Sequence, residues 1–373
     1  MNEPIYRPGL EGIIAGETAI STIADGLRYR GYSIEELARQ ASFEETAYLV
    51  LHGELPTVDQ LSSFSQRLIE ASTIPAAIVD TLRALPADTS LMDVMRTGTS
   101  LLSHWDSEAS DNSHDANLRK VERLLAQLPV VLGASFRIRH GNEPVEYDPD
   151  LSFAGNVLWL LTGERPSERM AHAMDVSLIL YAEHEFNAST FTSRVVASTL
   201  SDVHSAITAA IGALKGPLHG GANERVMDVL NEVGSPDQAE AWIRDALDRK
   251  VKIMGFGHRV YKTGDPRAEY LKSLCRELAE ETGHQDFEKT ADVIETIVRG
   301  EKKLPPNLDW PSARLYYYMD LPIELYTPLF VLSRVIGWGA HVIEQLDNNR
   351  IIRPRSRYTG PEPRAWVDPD NRS

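Results

Sequence analysis

The chain of 373 residues contains a single cysteine, Cys275, so it cannot form an intrachain disulfide bond. We therefore expect a reducing compartment, the cytoplasm, and the first residues, MNEPIYRPGL, show no pattern typical of a targeting peptide. No run of about 18 apolar residues occurs, so no membrane-spanning helix is predicted. Positive charge is scarce, since 38 Lys and Arg stand against 54 Asp and Glu, a net charge of −16. This balance argues against nucleic acid or an anionic membrane as the main partner.

The sequence also lacks the common motifs of nucleotide and zinc sites. It contains no GxxxxGK[ST] loop, no HExxH pattern and no pair of cysteines, so neither a phosphate loop nor a zinc centre is predicted. GFGHRV (255–260) departs from GxGxxG at the third glycine and follows no clear strand, which disfavours a dinucleotide-binding fold. His184 and Glu185 could contribute to a metal site, but no further ligands stand at helical spacing, and we expect no metal.

Helical patterns, in contrast, are abundant. SFEE (42–45) and TVDQ (57–60) are capping boxes that precede apolar stripes with helical spacing. Residues 188–215 are dense in Ala, Ser, Thr and Gly, which predicts a buried pair of central helices. Residues 322–346 are apolar on nearly every face, which predicts a helix buried all round, with Pro328 at a kink or in its first turn.

The remaining segments add little sheet. Residues 10–34 hold two short β-prone runs with a turn signal at Asp25-Gly26, which predicts a minor N-terminal β-hairpin. Residues 103–120 are polar and without period, so we expect a surface loop there. A helix that begins near Ser167 carries a stripe of Met and aromatic residues, including Tyr181, that we interpret as core packing. The predicted class is mainly α.

In so acidic a chain, a local cluster of positive charge is informative. GFGHRVYKTGDPR (255–267) places His258 between glycines and surrounds it with Arg259, Lys262 and Arg267. Glycines let backbone and ligand approach each other closely. This pattern favours a site for an anionic ligand, with a purely structural role as the alternative.

Arg334 lies in the middle of the apolar segment 322–346. A guanidinium stays charged and is costly to bury without a partner, so it needs an anion. An internal salt bridge is one interpretation and a bound ligand is the other. The nearby RIIRPRSR (350–357) contains four arginines and no acid, which favours an external anion. Solvated surface is the alternative for Arg350 and Arg357.

Two further residues are candidates for acid–base chemistry. His219 in GPLHGGANE precedes an amphipathic helix, whose dipole would lower the pKa of the imidazole and keep it neutral. A histidine hydrogen-bonded within a turn is the alternative. Asp309 stands between Leu308 and Trp310, and apolar walls would raise the pKa of its carboxyl and strengthen it as a base. The alternative for Asp309 is a turn or N-cap residue.

Together these segments resemble the citrate synthase family. GFGHRVYKTGDPR is similar to the family signature around its catalytic histidine, and GPLHGGANE, PNLD, the SR of VLSRVIGW, and IRPRS follow in the family's order and spacing. The resemblance extends from GLEGIIAGETAIS and LRYRGY to RPRSRYTGPE, nearly the whole chain. It implies an all-α homodimer with a large domain, residues 1–220 and 322–373, and a smaller inserted helical domain, residues 221–321. The active site would lie in a cleft that closes on substrate.

The resemblance also implies a reaction and a role for each residue. Acetyl-CoA or propionyl-CoA would condense with oxaloacetate, and hydrolysis of the thioester would give citrate or 2-methylcitrate plus CoA, without a cofactor. Asp309 would remove the α-proton, His219 would stabilise the enol, and His258 would polarise the oxaloacetate carbonyl. Oxaloacetate would be held by the group His184, Arg267, Arg334 and Arg353, the last contributed by the other subunit. Lys252, Arg259 and Lys262 are the candidates for binding CoA, with solvated surface as the alternative.

The acyl preference stays open. YAEHEFNASTFTSR, MDVMRTG and PNLDW resemble the 2-methylcitrate synthase branch, which takes propionyl-CoA. One extra methyl group is worth only about 1–3 kcal/mol of discrimination, so we expect activity with both thioesters. A catalytically silent regulator that binds CoA or anions on the same scaffold is the alternative, and a helical interaction protein without a small ligand is the third hypothesis.

Overall fold

The structure, a computed structural model, describes residues 6–24, 26–258, 261 and 264–372. Within them the chain forms sixteen α-helices and one small sheet, which confirms the all-α class. The first ten helices are α1 (Ile34–Gln40), α2 (Phe43–His52), α3 (Val58–Ala71), α4 (Ala76–Ala84), α5 (Leu91–Leu102), α6 (His114–Arg139), α7 (Phe153–Thr162), α8 (Glu168–Tyr181), α9 (Ala188–Ala197) and α10 (Val203–Leu214). The others are α11 (Ala222–Val233), α12 (Pro236–Asp248), α13 (Pro266–Thr282), α14 (Gln285–Lys302), α15 (Asp309–Tyr318) and α16 (Tyr326–Asp347).

The N-terminal sheet has three antiparallel strands, β1 (Ser21–Thr22), β2 (Arg28–Tyr29) and β3 (Tyr32–Ser33), in the order β1-β2-β3. The predicted hairpin of two strands was therefore incomplete. Arg30 and Gly31 have positive φ angles of 48° and 92°, so the chain reverses directly after β2 and pairs again. Such a tight reversal favours glycine because it has no Cβ atom. Asp25 of the predicted turn lies outside the described residues.

The predicted loop at 103–120 was wrong over its last seven residues, because α6 begins at His114. Asn117 and Lys120 are buried although they are polar. The Nδ2 of Asn117 donates to the carbonyl of Asn112 at 3.0 Å, and the Lys120 ammonium donates to the carbonyl of Asp111. Polar side chains that bond to the preceding loop hide the helical period from a hydropathy pattern.

The core is built around α16. Eighteen of its residues are buried, and it packs against α2, α6, α8, α9 and α10, as its apolar sequence predicted. Pro328 lies in the first turn, where a missing N–H breaks no intrahelical hydrogen bond. Helices α9 and α10 pack closely against each other, which confirms the predicted central pair. Both capping boxes are present, at Ser42 and Thr57.

Helices α11 to α15 pack mainly on one another and contact the rest of the chain chiefly through α1, α8 and α16. They fall within residues 221–321, the predicted smaller domain, whose boundaries stay a prediction. In the part of the chain that the structure describes, no helix is both long enough and apolar enough to cross a membrane.

Candidate active site

A cavity of about 920 Å³ opens where these two groups of helices meet. Six of the ten predicted site residues line it: His184, His219, His258, Arg267, Asp309 and Arg334. Arg353 and Lys252 are exposed and lie outside this cavity. Arg259 and Lys262 lie outside the described residues. The fold therefore gathers three imidazoles, two guanidiniums and one carboxylate from five regions of the sequence.

The imidazole of His219 is held by the beginning of α9. The backbone N–H of Ser189 donates to His219 Nε2 at 3.1 Å. A backbone N–H can only donate, so Nε2 accepts and the proton of the neutral ring is on Nδ1. Burial, followed by the positive charge of Arg334, lowers the pKa of His219 to about 4. The predicted neutral state is thus supported, but burial is its main cause, and the contacted helix end belongs to α9 rather than to α11.

His258 is oriented by the chain that follows it. The backbone N–H of Tyr261 donates to His258 Nδ1 at 3.2 Å, and the two rings stack with centroids 4.7 Å apart. In the neutral ring this contact leaves the proton on Nε2. The flanking Gly255 and Gly257 have φ angles of 84° and 76°. A Cβ atom at Gly255 would lie 2.8 Å from Val226. The backbone conformation and the packing therefore require glycine here, whether or not a ligand approaches.

His184 carries an unused hydrogen-bonding group. Its Nε2 is buried and has no hydrogen-bond partner among the described residues. Its ring lies edge-on to that of His258, with centroids 5.4 Å apart. Burial, together with Arg267, Arg334 and His258, lowers the pKa of His184 well below its usual value, so the ring is neutral. An unpaired buried nitrogen on a cavity wall is suited to a polar ligand.

The two arginines differ in their partners. Arg267 is paired with Asp265 through two hydrogen bonds, of 3.0 Å from Nε to Oδ1 and 2.9 Å from Nη2 to Oδ2. Arg334 donates from Nε to the carbonyl of Tyr181 at 2.6 Å, and no carboxylate of the described residues forms an ion pair with it. The internal salt bridge considered for Arg334 is therefore not formed. Burial lowers the pKa of Arg334 to about 10, so it is charged at neutral pH and available to an anion.

Asp309 is the first residue of α15, and its carboxylate lines the cavity. Its Oδ1 accepts a hydrogen bond of 2.9 Å from the Tyr181 hydroxyl. Burial raises the pKa of Asp309, and the Tyr181 hydrogen bond lowers it in part. The N-cap position belongs to Leu308, so the turn or N-cap role considered for Asp309 does not account for its side chain. The group has the environment of a base with raised affinity for protons.

The sequence analysis did not identify three residues that contribute to the site: Tyr181, Asp265 and Ser189. Tyr181 is 3% exposed and was assigned to the core, a placement that is correct but incomplete. Only Asp265 carried a local signal, since it is the single acid within the basic run 249–267. Ser189 and Tyr181 act through contacts with residues 30 and 128 positions away, which no local pattern indicates.

Comparison with known proteins agrees with the geometry. The family model described as "Citrate synthase, C-terminal domain" matches residues 9–355. The chain is 48% identical to citrate synthase 2 of Bacillus subtilis over 367 residues, 98% of this chain and 99% of that protein. It is 45% identical to 2-methylcitrate synthase of Shewanella oneidensis over 368 residues, 98% of this chain and 97% of that protein.

Two solved structures share the fold over almost the whole chain. Citrate synthase from Pyrobaculum aerophilum has a TM-score of 0.92 at 38% identity, covering 98% of this chain and 95% of that one. The ternary complex of citrate synthase from Thermoplasma acidophilum with carboxymethyl coenzyme A and oxaloacetate has a TM-score of 0.91 at 34% identity, covering 98% and 99%. The chain belongs to the citrate synthase family.

Proposed function

We propose that this protein is an acyltransferase that condenses acetyl-CoA, propionyl-CoA or both with oxaloacetate and hydrolyses the thioester, giving citrate or 2-methylcitrate plus CoA. The observation that carries the proposal is the grouping of Asp309, His219 and His258 with two buried arginines around one cavity. Oxaloacetate is a dianion, and a cavity that holds the unpaired charge of Arg334 and the unused Nε2 of His184 matches it. Relatives that carry both enzyme names are about equally similar, so the names leave the acyl group open.

The proposed reaction begins at the thioester. Asp309 takes the α-proton of the acyl group, the electron pair of the C–H bond forms the enol double bond, and the π pair of the thioester carbonyl moves to its oxygen. A carboxylate is too weak a base for this step alone, so the developing oxyanion needs a donor. The Nδ1–H of His219 is that donor, and its low pKa keeps it from titrating during turnover.

Carbon–carbon bond formation follows. His258 donates from Nε2 to the oxaloacetate carbonyl, which the enol carbon attacks, while His184, Arg267 and Arg334 hold the substrate. Water then cleaves the thioester of the product and releases CoA. Closure of the cleft would exclude bulk water and strengthen each charged contact. These steps use proton transfer and hydrogen bonding, so we propose no metal or redox cofactor and treat the CoA thioester as a substrate.

We further propose a homodimer in the cytoplasm. Arg353 lies in the exposed segment after α16 and does not line the cavity of its own chain, which supports a role in the site of the other subunit. The single cysteine, Cys275, is buried, in keeping with a reducing compartment. Lys252, Arg259 and Lys262 remain the candidates for the CoA phosphates. The acidic net charge supports the absence of a nucleic-acid or membrane partner.

The test is release of the CoA thiol from acetyl-CoA and from propionyl-CoA, each with oxaloacetate. Asp309→Asn should lower kcat by about 10²–10⁴-fold because the base is lost. Oxaloacetate should still raise the melting temperature of this variant, since its proposed ligands remain. Asp320→Asn is the matched control, because Asp320 is exposed in the turn after α15 and has a positive φ that asparagine tolerates. A folded protein that releases no thiol from either thioester contradicts the proposal.

A further inference from the structure

The carboxylate of Asp309 is the start of a short chain of hydroxyl groups. The Tyr181 hydroxyl lies 2.9 Å from Asp309 Oδ1 and 2.7 Å from Ser312 Oγ. Ser312 Oγ in turn lies 3.4 Å from the backbone carbonyl of Asp309. Tyr181 and Ser312 are 3% and 0% exposed, so water does not substitute for these partners. This series of hydrogen-bonded groups therefore begins and ends at Asp309.

Tyr181 is fixed from several sides. Its ring packs against that of Phe330 with centroids 4.4 Å apart. Its backbone carbonyl accepts from Arg334 Nε at 2.6 Å. The residue at the end of α8 therefore contacts both the proposed base and a proposed oxaloacetate ligand. A phenol held in this way can hold a carboxylate in one orientation.

Other charged groups also face Asp309. Arg267 from α13 and Arg334 from α16 favour its ionised form, whereas Asp265, next to Arg267, disfavours it. The two arginines thus counteract the effect of burial on the pKa of Asp309. Tyr181 from α8 is the neutral group that hydrogen-bonds directly to the carboxylate. Removing the Tyr181 hydroxyl leaves these charges in place, so the effect of the hydroxyl on the pKa of Asp309 can be measured separately from theirs.

The direction of each hydrogen bond follows from the protonation state of Asp309. Burial raises the pKa of Tyr181 well above its usual value, so the phenol keeps its proton. An ionised carboxylate only accepts, so Tyr181 donates to Asp309 and Ser312 donates to Tyr181. After Asp309 has taken a proton, its O–H donates to the phenol oxygen. Tyr181 then donates to Ser312, and Ser312 donates to the Asp309 carbonyl. Rotation of two hydroxyl groups thus keeps the Asp309 carboxyl hydrogen-bonded to Tyr181, and Tyr181 hydrogen-bonded to Ser312, in both states.

We propose that Tyr181, supported by Ser312, is a positioning residue for the base: it orients the Asp309 carboxylate, donates to it before proton abstraction and accepts from it afterwards. This inference rests on the proposed function, because it takes Asp309 as the base. No proton leaves the chain of groups during the switch. The α-proton moves to Asp309, and only the hydroxyl orientations change.

The first test is the pH profile of kcat/KM for Tyr181→Phe, which keeps the ring and removes the hydroxyl. The ionised carboxylate loses a donor, so the acidic limb should move upward by about one to two pH units. The value of kcat at pH 8 should fall about tenfold because the carboxylate is less well oriented. KM for oxaloacetate should stay within about twofold of the wild type, since no hydrogen bond to that substrate is removed. Ser312→Ala should move the limb in the same direction by less.

Tyr316→Phe is the matched control. Tyr316 is buried on α15, the helix that begins with Asp309, and its hydroxyl pairs with Ser177 Oγ at 2.7 Å. The Tyr316→Phe variant loses a buried hydrogen bond of similar length that does not involve the Asp309 carboxylate. The acidic limb of its pH profile should therefore match that of the wild type. If the limb of Tyr181→Phe does not move, or that of Tyr316→Phe moves equally, Tyr181 has only a structural role and the inference is overturned.

A second readout needs no substrate. Infrared titration of the Asp309 carboxyl, taken as the difference between each protein and its Asp309→Asn counterpart, reports the same proton. The pKa should be higher in Tyr181→Phe than in the wild type. If the pKa of Asp309 is higher in Tyr181→Phe but the wild-type protein releases no CoA thiol, the proposed function is wrong, whereas the hydrogen-bond coupling between Tyr181 and Asp309 is supported. If the wild-type protein is active but the pKa of Asp309 is unchanged in Tyr181→Phe, the inference about Tyr181 is overturned and the proposed function is not.

Discussion

At the residue scale, the charge states of His219 and His184 follow mainly from burial. His219 and His184 both have lowered pKa values because their charged forms are desolvated and face arginines. Neutral imidazoles can donate one hydrogen bond and accept another. In His219 the accepting nitrogen is occupied by Ser189, which leaves a defined donor for the proposed enol oxygen.

This arrangement predicts an observable tautomer. In protein labelled with ¹⁵N-histidine, the signals that disappear in His219→Asn should be those of a neutral ring protonated on Nδ1. They should not titrate above about pH 5, since the folded pKa is about 4. A ring that becomes charged near pH 6.5, or one protonated on Nε2, contradicts the environment described for His219.

Single residues also differ in how far sequence reveals them. Arg334 was recognisable because a charge in an apolar helix is costly, and burial of most of this helix bears out that reasoning. Whether its partner was a carboxylate depended on contacts between α8 and α16, which the local sequence does not encode. Tyr181 looked like any core aromatic residue, since its functional contact lies 128 positions away.

At the element scale, the position of His184 depends on how closely α16 approaches the segment after α8. Gly337 makes this approach feasible. A Cβ atom there would lie 2.4 Å from the carbonyl oxygen of Ala182 and 2.4 Å from Glu183 Oε2. The same segment is held by Glu183, whose Oε1 lies 2.9 Å from His341 Nε2 on α16. Packing of one helix thus sets the backbone that carries a candidate ligand of oxaloacetate.

Gly337→Ala should therefore affect both stability and binding. Because a backbone carbonyl cannot move aside as a flexible side chain can, we expect a loss of about 1–3 kcal/mol in the free energy of unfolding. The increase in melting temperature caused by oxaloacetate should also shrink, because His184 is displaced. Urea denaturation and thermal melts measure the two effects.

Gly300→Ala provides the comparison for this substitution. Gly300 lies in α14, and a Cβ atom there would meet nothing within 4 Å. Alanine favours the helix, so this variant should gain up to about 1 kcal/mol and bind oxaloacetate normally. Equal behaviour of the two variants would show that helix propensity, and not the contact with Ala182, governs position 337.

At the scale of the whole molecule, the cavity of one chain lacks one proposed ligand. Arg353 follows α16 in an exposed segment without regular secondary structure. The basic residues near it have no buried carboxylate partner among the described residues. A second subunit is the simplest way to bring Arg353 to an active site, and subunit mixing tests this directly.

In the proposed homodimer, Asp309→Asn and Arg353→Ala should each be nearly inactive when the other variant is absent. After subunit exchange of equal amounts, a shared site predicts recovery of about a quarter of the wild-type activity, because half of the dimers are mixed and each has one intact site. A site built within one chain predicts no recovery, since every site then keeps one defect. Thiol release before and after exchange measures the outcome.

The sequence by itself determined the features that act over a few residues: the capping boxes, the apolar α16, the basic run around His258 and the types of side chain available for chemistry. These depend on local backbone preference and on the cost of burying charge, which a single segment reveals. Tertiary structure decided which of those groups meet, that Asp265 occupies Arg267 while Arg334 stays unpaired, and which nitrogen of His219 holds the proton. Those outcomes depend on burial and hydrogen bonds between residues far apart in the chain, so only packing of the helices could set them.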